Sequence, residues 1–411
     1  MKPIVSFSRS LVLLLIFPVL FAVSCKDEVL KTRTYHTYVP VYIKTSEMRA
    51  QSIGLQDPKK LAVPGKIYIY GKYLLINEVN KGIHIVDNQD PSSPKFVNFI
   101  NIPGNTDLAV NNNILYANNY IDLLAFNISD PLGARLVSRV DDVFPSYYWN
   151  KDKGIIVTYK DTVVTEVIKE ENKGGVIYYD AALYSTSTGQ SYGQGGSMAR
   201  FTLMSSHLYT VDQAKLSLFN VANPAVPTFV NNINLGWGIE TIFPYQNKLF
   251  IGSTTGMHIY DAANPAAPVK LSTYSHVTSC DPVVVSGRYA YVTLRSGNFC
   301  QQGTNLLEVL DIQDPASPRL VSSFAMQNPH GLGISGTDLF ICEGDYGLKS
   351  YNASDIMKIG ANKLQHIDDI KATDVIPGPK SLIVTGANGI YQYDYSNAGK
   401  LKLLSHIKIA N

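Results

Sequence analysis

The sequence predicts an all-β protein, a seven-bladed β-propeller preceded by an N-terminal export signal, and three observations carry that prediction. One strand phrase recurs seven times along the chain. Its copies are spaced at about 40 residues, the period of a four-stranded propeller blade. Helical periodicity is absent beyond the N-terminal segment.

The phrase is an apolar strand, a Gly-containing or polar turn, then a second strand ending in Asp or Asn, commonly followed by Asp/Asn-Pro. Five copies keep the proline: residues 82–91, 123–131, 216–224, 256–265 and 307–315. Two lack it, at 347–355 and 389–397. Alternation with period 2 marks the strands, and Asp/Asn-Pro marks the turn out of them. Strands this short bury both faces only when stacked against neighbouring blades.

Two spacings depart from the period. Pro131 and Pro224 are 93 residues apart. An insertion near residues 170–196, rich in Gly, Ser and Tyr, accounts for the excess, with an eighth degenerate blade as the alternative. The second irregular interval, between Pro265 and Pro315, is longer because of extra residues around 296–303, beside Cys300.

Composition limits the function. With 45% hydrophobic and 17% charged residues among 411, the chain has the makings of a large core. Its 35 basic and 33 acidic residues are mixed, so no basic stripe suits nucleic-acid phosphates and no nucleic-acid partner is expected.

Residues 1–24 read as a signal peptide, with Lys2 and Arg9 ahead of a short apolar run. Ala22-Val23-Ser24-Cys25 resembles a bacterial lipobox, which makes Cys25 the lipidation site and first mature residue. Ala22 stands where such motifs usually carry Leu. The following Lys26-Asp27-Glu28 resembles the export signal of lipoproteins on the outer face of the Bacteroidota outer membrane. The expectation is therefore a lipid-anchored outer-membrane protein facing the cell surface, with residues 25–58 as anchor and tether and 59–411 as propeller. In that oxidising compartment Cys280 and Cys300, in one repeat, are expected to form a disulfide. Cys342, in an apolar strand, reads as a small buried hydrophobe.

The phrase Ile83-His84-Ile85-Val86-Asp87, the Cys280-Asp281-Pro282 start, the run at 291–297 and Cys300 resemble the LVIVD-repeat proteins of Bacteroidota. That resemblance covers about residues 60–411 and implies a propeller at the cell envelope. It implies no activity, substrate or catalytic residue, and fold alone supplies none.

Aligning the first strands of the seven repeats places an ionisable residue ahead of each: Lys66, Asp107, Arg200, Glu240, Asp281, His330 and Asp374. Together they would ring one mouth of the channel, where a glycan or cation could bind. The competing reading is that strand ends are polar and that their charges pair with one another. His330 lies in Pro329-His330-Gly331, but no HxH or HExxH spacing accompanies it, so no metal is expected. No GxSxG elbow, phosphate loop or nucleotide fingerprint occurs, so neither catalytic residues nor a cofactor are assigned and enzymatic activity is not the leading reading.

Aromatic residues favour recognition instead. Tyr147-Tyr148-Trp149 precedes the insertion, which carries Tyr178, Tyr179, Tyr184 and Tyr192 among 26 tyrosines in all. Rigid aromatic surface suits protein or sugar partners. The leading expectation is a non-enzymatic binding or scaffolding lipoprotein with an outer-membrane or extracellular protein partner. The alternative is a glycan- or cation-binding propeller, or a cryptic enzyme, working through the charged ring.

Overall fold

Each repeat phrase closes on Asp or Asn because the side chain builds the turn. In all seven repeats the carboxylate or amide oxygen ending the third strand accepts the backbone N–H two residues on, as in Asp87 to Gln89, Asn220 to Ala222 and Asp394 to Ser396. A second such turn follows at Asp90, Asp130, Asn264, Asp314, Asp355 and Asn397.

The computed structural model describes residues 31–144, 149–150, 152–168, 198–276, 282–296 and 304–410. The chain divides into two compact units, residues 1–41 with 158–183 and residues 42–157 with 184–411. The larger unit holds seven consecutive antiparallel four-stranded meanders. They span 64–101, 108–140, 201–234, 239–275, 283–325, 332–367 and 372–408, and are numbered blades 1 to 7 in that order. The architecture is a seven-bladed β-propeller, and the alternative of an eighth blade falls away. Blade 1 carries a fifth strand, Gly54–Gln56, paired outside Lys95–Asn101.

Burial explains the repeat pattern. The second and third strands are mostly apolar and buried on both faces, as in Ile114–Asn119 and Gly256–Asp261. Outer strands such as Thr228–Asn234 are largely exposed and polar. The apolar clusters correspond to blade junctions: Leu75 and Ile83 pack with Leu115 and Phe126 between blades 1 and 2, and Ile67 and Leu74 pack with Ile376 and Ile383 between blades 7 and 1. Stability is thus distributed around the ring rather than held in one core.

A polar latch crosses every junction. In six of them a side chain donates to the carbonyl of the residue after the second Asp or Asn of the next blade. These are Ser405 to Pro91, Tyr116 to Pro224, Tyr209 to Pro265, Ser272 to Pro315, Ser322 to Ile356 and Ser350 to Ala398, at 2.6–2.8 Å. At the seventh, Asn98 donates to Leu132, one residue further on. Proline suits this position because it has no N–H to satisfy while its carbonyl serves the neighbouring blade.

Glycine opens several of the phrases for a steric reason. At Gly82 (φ 145°) and Gly389 (φ 128°) the backbone lies outside the range favoured by L side chains. A Cβ would also run into the Ile100 or Ile407 carbonyl oxygen of the adjacent strand.

The long interval between blades 2 and 3 holds strands Trp149–Asn150 and Gly154–Ile168, with the latter beside Lys31–Ile43 in a separate three-stranded sheet. The extra segment therefore begins well before residue 170, and the stretch expected as tether contains a 13-residue strand and the short helix Thr45–Arg49. In the smaller unit, Thr34 and Thr165 hydroxyls lie 2.9 Å apart and His36 Nδ1 lies 3.3 Å from Asp161 Oδ1.

Candidate functional site: the charged rim and an adjoining cavity

The inner strands begin at one rim, and there the ionisable residues of blades 1, 2 and 3 meet. Lys66 Nζ pairs with Asp107 Oδ2, and both side chains are buried. Asp107 is further held by backbone donors, Leu108 N–H to Oδ1 at 2.7 Å and Arg200 N–H to Oδ2 at 3.0 Å. Arg200 Nε donates to the Glu240 carbonyl at 3.1 Å, carrying the connection into blade 4. Burial, reinforced by the Arg200 charge, pushes the Lys66 ammonium well below its usual range, and Asp374 of blade 7 opposes that shift. The Asp107 carboxylate in contact with Lys66 also favours its charged form.

His330 is tied in through its backbone. The Thr293 hydroxyl donates to the His330 carbonyl at 2.6 Å, and the Gly331 N–H donates to Thr373 at 3.0 Å, joining blades 5, 6 and 7. Its Nδ1 lies 2.8 Å from the Asn328 carbonyl. Burial, with Arg295 nearby, brings the imidazole down to about 4. Asp374 is buried against Gly331, where a Cβ would meet its carboxylate.

Lys66, Asp107 and Arg200 are thus brought into one connected group, Asp374 acts on it electrostatically, and Glu240 joins through its backbone. His330 belongs to a separate set of contacts. Asp281, Cys280, Cys300 and Cys25 lie outside the described residues. Cys342 is fully buried, and burial pushes its thiol up, as befits a core residue. Among the described residues no group of three or more His, Cys, Asp or Glu side chains could hold a metal ion.

Beside Asp107 and Arg200 lies a cavity of about 480 Å³ between blades 2 and 3, with residues 155–157 contributing to its wall. Tyr120, Phe144 and Trp237 line it, with Asp212, Gln213 and Lys215. Trp237 sits between Gly236 (φ 89°) and Gly238 (φ 91°), a loop that leaves the residue 61% exposed. Tyr120 also has positive φ, 53°, and its ring lies against Gly104, where no side chain could fit. Aligning strand starts finds the ionisable residues but not this cavity; the Gly-Trp-Gly run was the one local signal for it. A further cavity, of about 500 Å³, is lined by apolar residues that include Ile69, Phe243, Val285 and Ile334.

A family model described as LVIVD repeat matches residues 65–101 and 279–326, within blade 1 and across blade 5. No curated protein matches the chain in sequence. Among solved structures it is similar to the computationally designed Ika8 protein, with 9% identity, TM-score 0.54, and 88% of this chain and 93% of that chain covered. It is similar too to a functionally unknown protein from Desulfotomaculum acetoxidans DSM 771, with 10% identity, TM-score 0.50, and 87% and 95% covered. BamB from Moraxella catarrhalis aligns with TM-score 0.49 and 8% identity over 87% of this chain and 96% of its own. At such identities the likeness concerns the fold alone. The chain is a β-propeller in which two stretches match the LVIVD repeat model.

Proposed function

We propose that this protein is a non-enzymatic binding or scaffolding lipoprotein of the outer membrane, anchored through Cys25 and displayed at the cell surface to a protein partner. The observation that carries the reading is the exposed apolar surface on the smaller unit. Tyr38, Val39, Val41 and Val163 are each between 39% and 55% exposed on two long strands. Val39 and Val41 share one face of their strand and Tyr38 the other, so apolar side chains stand exposed on both faces, as at interaction surfaces. Lys31–Ile43 also stands at one end of its sheet order, where an edge strand offers backbone groups to a partner. The alternative, a catalytic or cation-binding ring, is disfavoured because Lys66, Asp107 and the Arg200 backbone are engaged with one another.

The test is in-cell crosslinking and affinity capture of the tagged full chain from native outer membranes. A stoichiometric membrane protein crosslinked to residues 31–43 or 158–196 supports the reading. Tyr38→Asp with Val163→Asp, or deletion of residues 170–196, should reduce its recovery without lowering the propeller's unfolding midpoint. Recovery unchanged by all of these substitutions would remove the basis for the proposal.

A further inference from the structure

The cavity between blades 2 and 3 has the composition of a ligand site, and the partners of its polar groups define the ligand. Its volume, about 480 Å³, falls within the range of small-molecule pockets. The acidic groups on its wall and the Asn118 amide are already engaged. Asp107 is held by Lys66 and two backbone donors. Asn118 Oδ1 accepts from Thr106 and Asp107 N–H groups, while its Nδ2 donates to the Gly104 carbonyl. Asp212 Oδ1 caps its own loop, accepting the Ala214 and Lys215 N–H groups at 2.7 Å each.

The donors left over are cationic or neutral. Arg200 uses its backbone N–H and Nε within the protein. Its two terminal nitrogens, the Lys215 ammonium and the Gln213 amide make no hydrogen bond among the described residues. A planar guanidinium with two unengaged nitrogens matches a carboxylate. The aromatic rings add broad apolar faces, one of them the exposed indole at Trp237.

We propose that this cavity binds an acidic saccharide, a chain containing hexuronate. The carboxylate would lie against Arg200 and Lys215, sugar faces would stack on Trp237 and Tyr120, and Gln213 would serve hydroxyl groups. Aromatic rings distributed along the cavity suit a chain of several rings better than a compact anion, which would use the cations alone. The inference does not rest on the protein-partner reading, because that surface belongs to the other unit.

The chain has two tryptophans, so Trp149→Phe makes Trp237 the single indole reporter. Galacturonate and glucuronate oligosaccharides, and neutral oligosaccharides of matched length, are titrated into the full chain in detergent. The expected result is a saturable change in Trp237 emission with uronate chains, about tenfold weaker binding of the neutral ones, and loss of that preference in Lys215→Gln. Trp237→Ala, followed by calorimetry, should weaken binding by about tenfold or more. Lys215→Gln removes a side chain outside the core, so an intact unfolding midpoint separates lost binding from lost folding. No saturable binding of either uronate series, equal binding of neutral chains, or binding unchanged in both variants would overturn the proposal. Uronates presented on lipid vesicles, compared with free chains, distinguish a membrane-borne from a soluble source; preferential binding in either format supports the site.

Discussion

Asn88 and Gln392, 304 residues apart, exchange two amide hydrogen bonds across the junction of blades 7 and 1. Asn88 Nδ2 donates to Gln392 Oε1 at 2.9 Å, and Gln392 Nε2 donates to Asn88 Oδ1 at 2.7 Å. Gln392 Oε1 also accepts the Ser381 hydroxyl at 2.8 Å. Every four-stranded meander is contiguous in sequence, so no strand is exchanged to close the ring. Closure falls to this amide pair, to the Ser405–Pro91 latch, to Ala410 N–H donating to Leu61 at 2.6 Å, and to the apolar cluster beneath them.

Gln392→Leu should therefore be costly out of proportion to its size. It leaves the Asn88 amide and Ser381 hydroxyl buried without their partner, a loss of about 3 kcal/mol. Urea unfolding measures it directly. Asn88→Leu combined with Gln392→Leu should recover part of the loss, because both ends of the pair are then apolar. Strict additivity of the two single losses would show that the pair is not coupled.

The Lys66–Asp107 contact predicts an asymmetric pair of variants. Asp107→Ala removes the acceptor of two backbone N–H groups and the carboxylate that Lys66 contacts, at a cost of about 4 kcal/mol. Lys66→Met leaves Asp107 with both backbone donors, Leu108 and Arg200, and should cost about half as much. Equal losses in chemical unfolding would contradict this account of which residue organises the rim.

Two histidines predict a pH dependence above the carboxylate range. Burial brings His258 down to about 4, with Lys270 adding to the shift, and burial brings His330 down to about 4 as well. In the unfolded chain a histidine titrates at about 6.5. Between those values the unfolded state binds more protons than the folded state, so stability should fall as pH drops from about 6.5 towards 4 and be level in this respect above 7. Unfolding free energies measured across that window should show a shallower slope in His258→Gln. An unaltered slope would mean that the imidazole does not titrate as its surroundings dictate.

Much of the propeller was legible in sequence because its signal is periodic and local. The Asp or Asn ending each phrase makes its turn with residues two positions on, so the seven copies announce themselves without reference to the rest of the chain. The ionisable residues at the start of the first strands, with Lys66, Glu240 and Asp374 just inside them, were legible for the same reason. What they contact was not, since Lys66 meets Asp107 only after two blades stack, and Arg200 reaches Asp107 across 93 residues of chain. The third-to-fourth strand register shifts, such as those between Ile85 and Val86 and between Gln392 and Tyr393, also leave no mark on an alternating pattern. The cavity depends on Tyr120, Trp237 and Lys215 meeting in space, and of these only Trp237, between two glycines, stands out beside its own neighbours.

Arg49 and Asp122 give the last prediction, on how the segment before the propeller is fastened to it. Arg49, at the end of the short Thr45–Arg49 helix, reaches Asp122 through Nε at 2.8 Å and Nη2 at 2.7 Å. Arg139 Nη1 at 2.6 Å and the Asp142 N–H at 2.9 Å complete the surroundings of this fully buried carboxylate. Burial alone would raise its pKa, but the donors from Arg49, Asp142 and Arg139 prevail and hold it below the usual carboxylate range. The interaction therefore contributes fully above the unfolded value of about 3.9 and is lost as pH falls through the lower folded value. Asp122→Asn should destabilise the protein by about 3 kcal/mol at pH 7, since two guanidinium groups lose their shared counter-charge. The gap between wild type and variant should then narrow below about pH 4, as the carboxyl is protonated in the unfolded wild-type chain while the folded one still holds its charge. Parallel urea titrations from pH 7 to pH 3 measure that gap; one that stays constant to pH 3 would show that the charge on Asp122 is not what fastens the helix.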